Sequence, residues 1–215
     1  MRARTLLTSI GVIAVAFATQ LPLGAHRLDE YLQATRLSVD VDRVGLEIDL
    51  TPGVSIAPEV LGWIDTNGDG RISDVEADAY ARQMLRSVTL SVDGHPAEIA
   101  LTENHFSSVE EMNLGVGTIQ LRAIARVPAV ISGQHRVLFS NMHHPERSVY
   151  LVNALVPSDS RIQITGQRRD RAQHDMTLTY DVAASARQAH AYWLLAVMAM
   201  AAVLSVRRKY TRESR

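Results

Sequence analysis

Apolar and polar residues alternate strictly along Val44-Gly45-Leu46-Glu47-Ile48-Asp49-Leu50, so Val44, Leu46, Ile48 and Leu50 share one face. A period of two predicts a strand with one buried side. Similar runs recur at 31–39 (for part of its length), 88–92, 97–101, 118–127, 135–141, 148–156, 161–165 and 176–182. Turn formers separate them, among them Thr51-Pro52-Gly53, Pro128, Ser132-Gly133 and Pro157. Asp93-Gly94 falls between 88–92 and 97–101, a spacing that predicts a tight hairpin joining those two strands. His105 to Gly115 reads as a polar connection, and Gly115-Val116-Gly117 as a turn before a strand. Nine short strands at near-regular spacing predict a mainly β fold, an antiparallel, immunoglobulin-like β-sandwich.

The period changes once, between residues 55 and 86. Pro58 suits the start of a helix, and Val60, Leu61, Trp63 and Ile64 give it an apolar side. Ser73 and Glu76 have capping-box spacing, and Ala77, Ala79, Ala81, Met84 and Leu85 continue into a second helix. Between the helices runs Asp65-Thr66-Asn67-Gly68-Asp69-Gly70-Arg71-Ile72-Ser73-Asp74-Val75-Glu76. It matches the pattern D-x-[DN]-x-[DN]-G-x5-E at every position. Asp65, Asn67 and Asp69 offer side-chain oxygens at positions one, three and five; Gly70 allows a sharp turn at six. Arg71 offers its carbonyl at seven, Ser73 a hydroxyl or a held water at nine, and Glu76 two oxygens at twelve. Hard oxygen donors in that number suit Ca²⁺.

On these residues the segment resembles the EF-hand superfamily. That resemblance implies Ca²⁺ held by Asp65, Asn67, Asp69, Arg71, Ser73 and Glu76, with Ile72 at position eight packing the loop. A second twelve-residue loop is not found in the sequence, and a lone loop suits a structural clip better than a switch. The helix-loop-helix at 55–86 is expected as an insert in a β domain spanning 26–186.

The two ends alter the picture of where such a domain works. Arg2 and Arg4 precede a thirteen-residue apolar run, Leu6 to Ala18, with Pro22 and small Gly24 and Ala25 after it. This predicts a signal peptide over 1–25, cut before His26, with Ala16-Phe17-Ala18 a competing site. Ala191 to Val206 carries no charge, Tyr192 and Trp193 sit at its start, and Arg207, Arg208, Lys209, Arg212 and Arg215 follow. A linker and transmembrane helix over 187–206 with a basic cytoplasmic tail at 207–215 is expected, the body lying in the periplasm or on the cell surface. Without those ends the body holds fifteen basic and twenty-two acidic residues, a net of −7. Such a charge argues against nucleic acid as a partner and accords with divalent cations. Cysteine is absent, so no disulfide staples the domain, and a metal could serve instead.

A nucleophile elbow, a phosphate loop and a cysteine centre are all missing from the chain, and an enzyme is not expected. His143-His144 with Glu146 nearby reads as a polar loop, since adjacent strand residues face opposite ways and rarely share an ion. His26 at a processed N-terminus would be either a Cu²⁺ or Ni²⁺ chelator or an ordinary exposed residue. Arg168, Arg169 and Arg171 around Asp170 read as a solvated turn, Trp63 and Tyr150 as core. Ala25-His26, Asp29 to Ala34 and Ser148 to Pro157 resemble exported β domains associated with bacterial nickel/cobalt permeases. The multi-span permease itself is absent, so that resemblance implies at most an accessory role beside a metal permease. The leading expectation is a membrane-anchored extracytoplasmic calcium-binding protein; the alternative is an accessory of nickel, cobalt or copper transport.

Overall fold

The computed structural model describes residues 29–184 together with Met198 and Met200. The expected signal peptide, His26, the tail and, those two methionines apart, the expected anchor lie outside the described residues. Among the described residues no helix is long and apolar enough to cross a membrane. The described chain is mainly β, two sheets enclosing one apolar core. Its elements are β1 (Tyr31–Val39), β2 (Arg43–Pro52), α1 (Ala57–Ile64), α2 (Asp74–Arg86), β3 (Val88–Val92), β4 (His95–Pro96) and β5 (Ile99–Phe106). They continue with α3 (Val109–Asn113), β6 (Ile119–Arg126), β7 (Gly133–Asn141), β8 (Ser148–Ala154), β9 (Ile162–Arg169) and β10 (Asp175–Val182). One sheet has the order β5-β6-β2-β1-β8, the other β4-β3-β7-β10-β9.

The alternation that defines the strands also builds the core. Val44, Leu46, Ile48 and Leu50 of β2 are all buried, and they face Ile119, Leu121, Ala123 and Ala125 inward on β6. Val137 and Phe139 of β7 and Met176, Leu178, Tyr180 and Val182 of β10 belong to the same cluster from the second sheet. On the outer face Arg36 bonds Glu47 at 3.0 Å and Asp49 at 2.9 Å, in register across β1 and β2. Half-exposed pairs of this kind add little stability but favour one strand register.

Four expectations are corrected. Asp93 and Gly94 both take positive φ (52° and 82°), the geometry of a tight hairpin, yet the returning strand is only β4, His95–Pro96. The Ala97 N–H still reaches the Leu90 carbonyl at 2.9 Å, but the chain then leaves for the other sheet, where β5 pairs with β6, so Ile99 to Leu101 do not partner 88–92. The polar connection after His105 contains α3, capped by Ser108 with Glu111 in a reciprocal box. The sheets are not wholly antiparallel: β8 arrives from the opposite sheet and runs parallel to β1. Arg168 and Arg169 belong to β9 rather than to a turn.

The helix-loop-helix connects β2 of one sheet to β3 of the other, and α2 packs against β5. The buried positions of α2 are Glu76, Ala77, Tyr80, Ala81, Met84 and Leu85, a helical stripe that faces the sandwich.

At the far end of β7, His135 is buried (9 % exposed). Its Nδ1 lies 2.7 Å from the Asp93 carboxylate and its Nε2 2.8 Å from the Ile131 carbonyl. Both partners only accept, so both ring nitrogens must donate, which requires the imidazolium. Burial opposes that cation, but the Asp93 hydrogen bond, the Ile131 carbonyl and the charges of Asp93 and Asp181 together raise the His135 pKa. For Asp93 burial works upward, and the bonds from His135 and Arg136 outweigh it, so its pKa is lowered. A raised histidine pKa gives stability that is complete below the unfolded value of ~6.5 and lost as pH rises through the folded value. A lowered aspartate pKa gives stability complete above ~3.9 and lost as pH falls through the folded value. Thermal unfolding of the chelator-treated full chain should therefore show, relative to His135→Gln, an increment in midpoint that declines from about pH 6 to about pH 8. Equal slopes in the two proteins would show the pair to be uncoupled from folding.

Candidate metal centre

Helix α1 ends at Asp65, whose N–H still reaches the Leu61 carbonyl at 2.8 Å. From there the backbone wraps around the Asp65 carboxylate. Oδ1 accepts the amides of Gly68 (2.8 Å) and Asp69 (3.2 Å), and Oδ2 accepts that of Gly70 (2.8 Å). Asn67 Oδ1 accepts from Asp69 N–H at 2.8 Å, and Asp69 Oδ1 from Arg71 N–H at 2.9 Å. Short side chains that bond amides a few residues ahead are what curls a loop this tightly. Gly70 sits at φ +77°, a conformation that a side chain would strain. Ile72 is half-buried and packs on the core.

The loop closes on Glu76, which is only 7 % exposed. Its Oε2 accepts the Ser73 hydroxyl (2.7 Å) and amide (3.0 Å). Its Oε1 accepts the Thr66 amide (3.0 Å) and hydroxyl (3.2 Å) and the Asn67 amide (3.3 Å). The Glu76 N–H in turn donates to the Ser73 hydroxyl oxygen, which completes the capping box of α2. The Ser73 hydroxyl and amide, then the amides of Asn67 and Thr66, hold the Glu76 carboxyl down to about 2. One carboxylate thus joins the exit of α1 to the entry of α2.

Every expected ligand lies in this loop, and the donor set is all oxygen. Among the described residues none donates a hydrogen bond to the Arg71 carbonyl. These features fit a hard cation. The carboxylates of Asp65, Asp69 and Glu76 do not all lie within 4.8 Å of one another; each is engaged by amides of the loop itself.

Among the described residues one trio does meet that distance: Asp170, His174 and Asp175 at the β9–β10 turn. His174 Nε2 lies 3.4 Å from Asp170 and Nδ1 3.0 Å from Asp175. The two nitrogens face different carboxylates, so one ion cannot use both contacts. Asp170 already accepts the amides of Ala172 and Asp175, so the trio acts as the clasp of a turn.

The largest correction concerns His143, expected in a polar loop and found 2 % exposed. Its Nε2 lies 3.1 Å from the Tyr80 hydroxyl, which lies 2.8 Å from that of Tyr31. Only one assignment gives every buried hydroxyl proton an acceptor: Tyr31 donates to Tyr80, and Tyr80 donates to Nε2 of a neutral imidazole. Burial, with the neighbouring His144, pushes His143 down to about 3, in keeping with that neutrality. Its carbonyl accepts from Gln33 (2.8 Å), Tyr150 (2.8 Å) and Ser148 (3.1 Å), and its N–H bonds Asn141. Trp63 is not simple core either: half-buried, it stacks on His144 with ring centres 3.8 Å apart and planes 5° from parallel. Tyr80 was not singled out in the sequence; the signal for it was its place one turn beyond Glu76 on the buried stripe of α2, while nothing local pointed to its partners.

The capping role of Ser73 is separable from any ligand role. Ser73→Ala should cost about 1 kcal/mol in urea unfolding with chelator present. A loss near zero would show that the box is not formed in solution.

A scan of known protein families, a search of characterised proteins and a search of solved structures each find no match to this chain; the residues of the Asp65–Glu76 loop and the helices that frame it are what a functional reading has to rest on.

Proposed function

We propose that this chain is a membrane-anchored extracytoplasmic calcium-binding protein, non-catalytic, whose single EF-hand loop sits in an immunoglobulin-like sandwich. The ligands are Asp65, Asn67, Asp69, the Arg71 carbonyl, Ser73 and Glu76. The observation that carries this reading is the closure of the loop: Asp65 gathers the amides of residues 68 to 70 while Glu76 ties residues 66 and 67 to Ser73. A bound Ca²⁺ would supply two positive charges among three carboxylates that otherwise repel one another.

The residues of the chain do the rest. Asp65 and Gly70 hold the turn, Ile72 anchors the loop to the core, and Glu76 sets the start of α2. The export signal and the anchor read from residues 1–25 and 187–206 support a periplasmic or cell-surface position for this body. The transition-metal alternative draws no support from His143, whose Nε2 is engaged by Tyr80 inside the core.

Thermal unfolding of the full chain in detergent, with Ca²⁺ and with chelator, tests the reading. At tenfold excess over Kd the gain is about 1.4 kcal/mol, and the midpoint should rise by about 3–6 °C. Glu76→Gln should abolish the rise. A midpoint that ignores Ca²⁺, or a rise that Glu76→Gln retains, would overturn the proposal.

A further inference from the structure

The two helices that frame the loop are both held by one dipeptide of the β7–β8 connection. Trp63 lies two residues before Asp65, and its ring stacks on His144. Tyr80 lies one helical turn after Glu76 on the same buried stripe, and its hydroxyl bonds His143. Glu59 of α1 adds an ion pair to Arg147 at 3.3 Å on the same β7–β8 connection. That connection is itself pinned: the backbone of His143 takes bonds from Gln33, Ser148 and Tyr150 and gives one to Asn141. His144 adopts φ +47°, a conformation unusual for a side chain with a Cβ, and holds it with its ring against Trp63.

We propose that His143 and His144 are positioning residues for the metal loop, fixing α1 and α2, the two helices on whose facing ends Asp65 and Glu76 are mounted. The proposal rests on the calcium reading above and adds to it the part of the sandwich that sets affinity. Ligand groups that are pre-positioned lose less freedom on binding, so a rigid mount for both helices raises affinity without touching the ion. Linkage is reciprocal: if the mount favours occupancy, occupancy must also tighten the mount.

The experiment uses the full chain in detergent. Calorimetric titration with Ca²⁺ is run on wild type, Tyr80→Phe, His144→Ala, His144→Phe and His135→Gln, each checked for folding by its chelator midpoint. Tyr80→Phe keeps the ring and loses the bond to His143; His144→Ala loses the stack on Trp63. Each should weaken Ca²⁺ binding about fivefold or more. His144→Phe, which restores a ring over Trp63, should recover most of the affinity. His135→Gln lies at the other end of β7 and should lower the chelator midpoint with Kd unchanged. In a Trp193→Phe background Trp63 is the one tryptophan left, and its emission should shift on adding Ca²⁺ in wild type. If wild type binds Ca²⁺ and both clamp variants bind it equally well, the positioning role is overturned while the calcium reading stands. Equal weakening by His135→Gln overturns it too, as general destabilisation. Wild type that binds no Ca²⁺ overturns the calcium reading itself.

Discussion

A nearly buried carboxylate must find donors, and the way Glu76 finds them organises the segment around it. It takes five hydrogen bonds, three from Thr66 and Asn67 and two from Ser73. Bonds to an ionised acceptor are the stronger kind, and leaving such a group unpaired would be costly. Because the donors lie on both sides of the loop, meeting this one requirement sets where α1 stops and α2 starts. The register of α2 then follows. With Glu76 turned inward, Ala77, Tyr80, Ala81, Met84 and Leu85 are carried onto the same stripe and into the core.

The second constraint is a polar seam inside an otherwise apolar sandwich. Gln33 of β1 and Asn141 of β7 belong to different sheets, and the Asn141 amide donates to the Gln33 side-chain carbonyl at 2.8 Å. The Gln33 amide in turn reaches the carbonyl of His143 and the hydroxyl of Ser148. A buried network adds definition when its members are satisfied, because any slip of one sheet against the other leaves polar groups bare. Purely apolar faces tolerate small displacements more readily. This seam fixes the end of the sandwich that receives both helices.

How much of this could be read beforehand depends on the range of the interaction. The strand at 44–50 and its buried face follow from local alternation, and so does the inward face of β6. The twelve-residue loop was legible because its constraints are internal: Asp65, Asn67, Asp69 and Glu76 bond amides within the segment. α3 was missed although Ser108 and Glu111 repeat the spacing of Ser73 and Glu76, so the signal was present at a place read as a connection. The destination of β5 was not legible, since alternation tells which face is buried but never which strand lies alongside. His143 was misjudged for the same reason. Asn141, His144, Glu146 and Arg147 around it are polar, and the groups that bury it, Tyr31 and Tyr80, lie 112 and 63 residues away.

Adjacent residues in extended chain point to opposite sides, and that alternation makes a histidine pair a poor shared ligand for one ion. In the folded chain the pair is not extended, for His144 turns at φ +47°, and that bend suits it to a different task. One ring turns into the core toward α2, and the other lies against the indole of α1, so a dipeptide spans the gap between two helices without a longer arm. The ring centres of His143 and His144 are only 4.4 Å apart, so movement of either helix is felt by both. A lone loop has no sister loop to brace it. Here the brace is supplied by the sandwich, through residues whose sequence surroundings look like an ordinary turn.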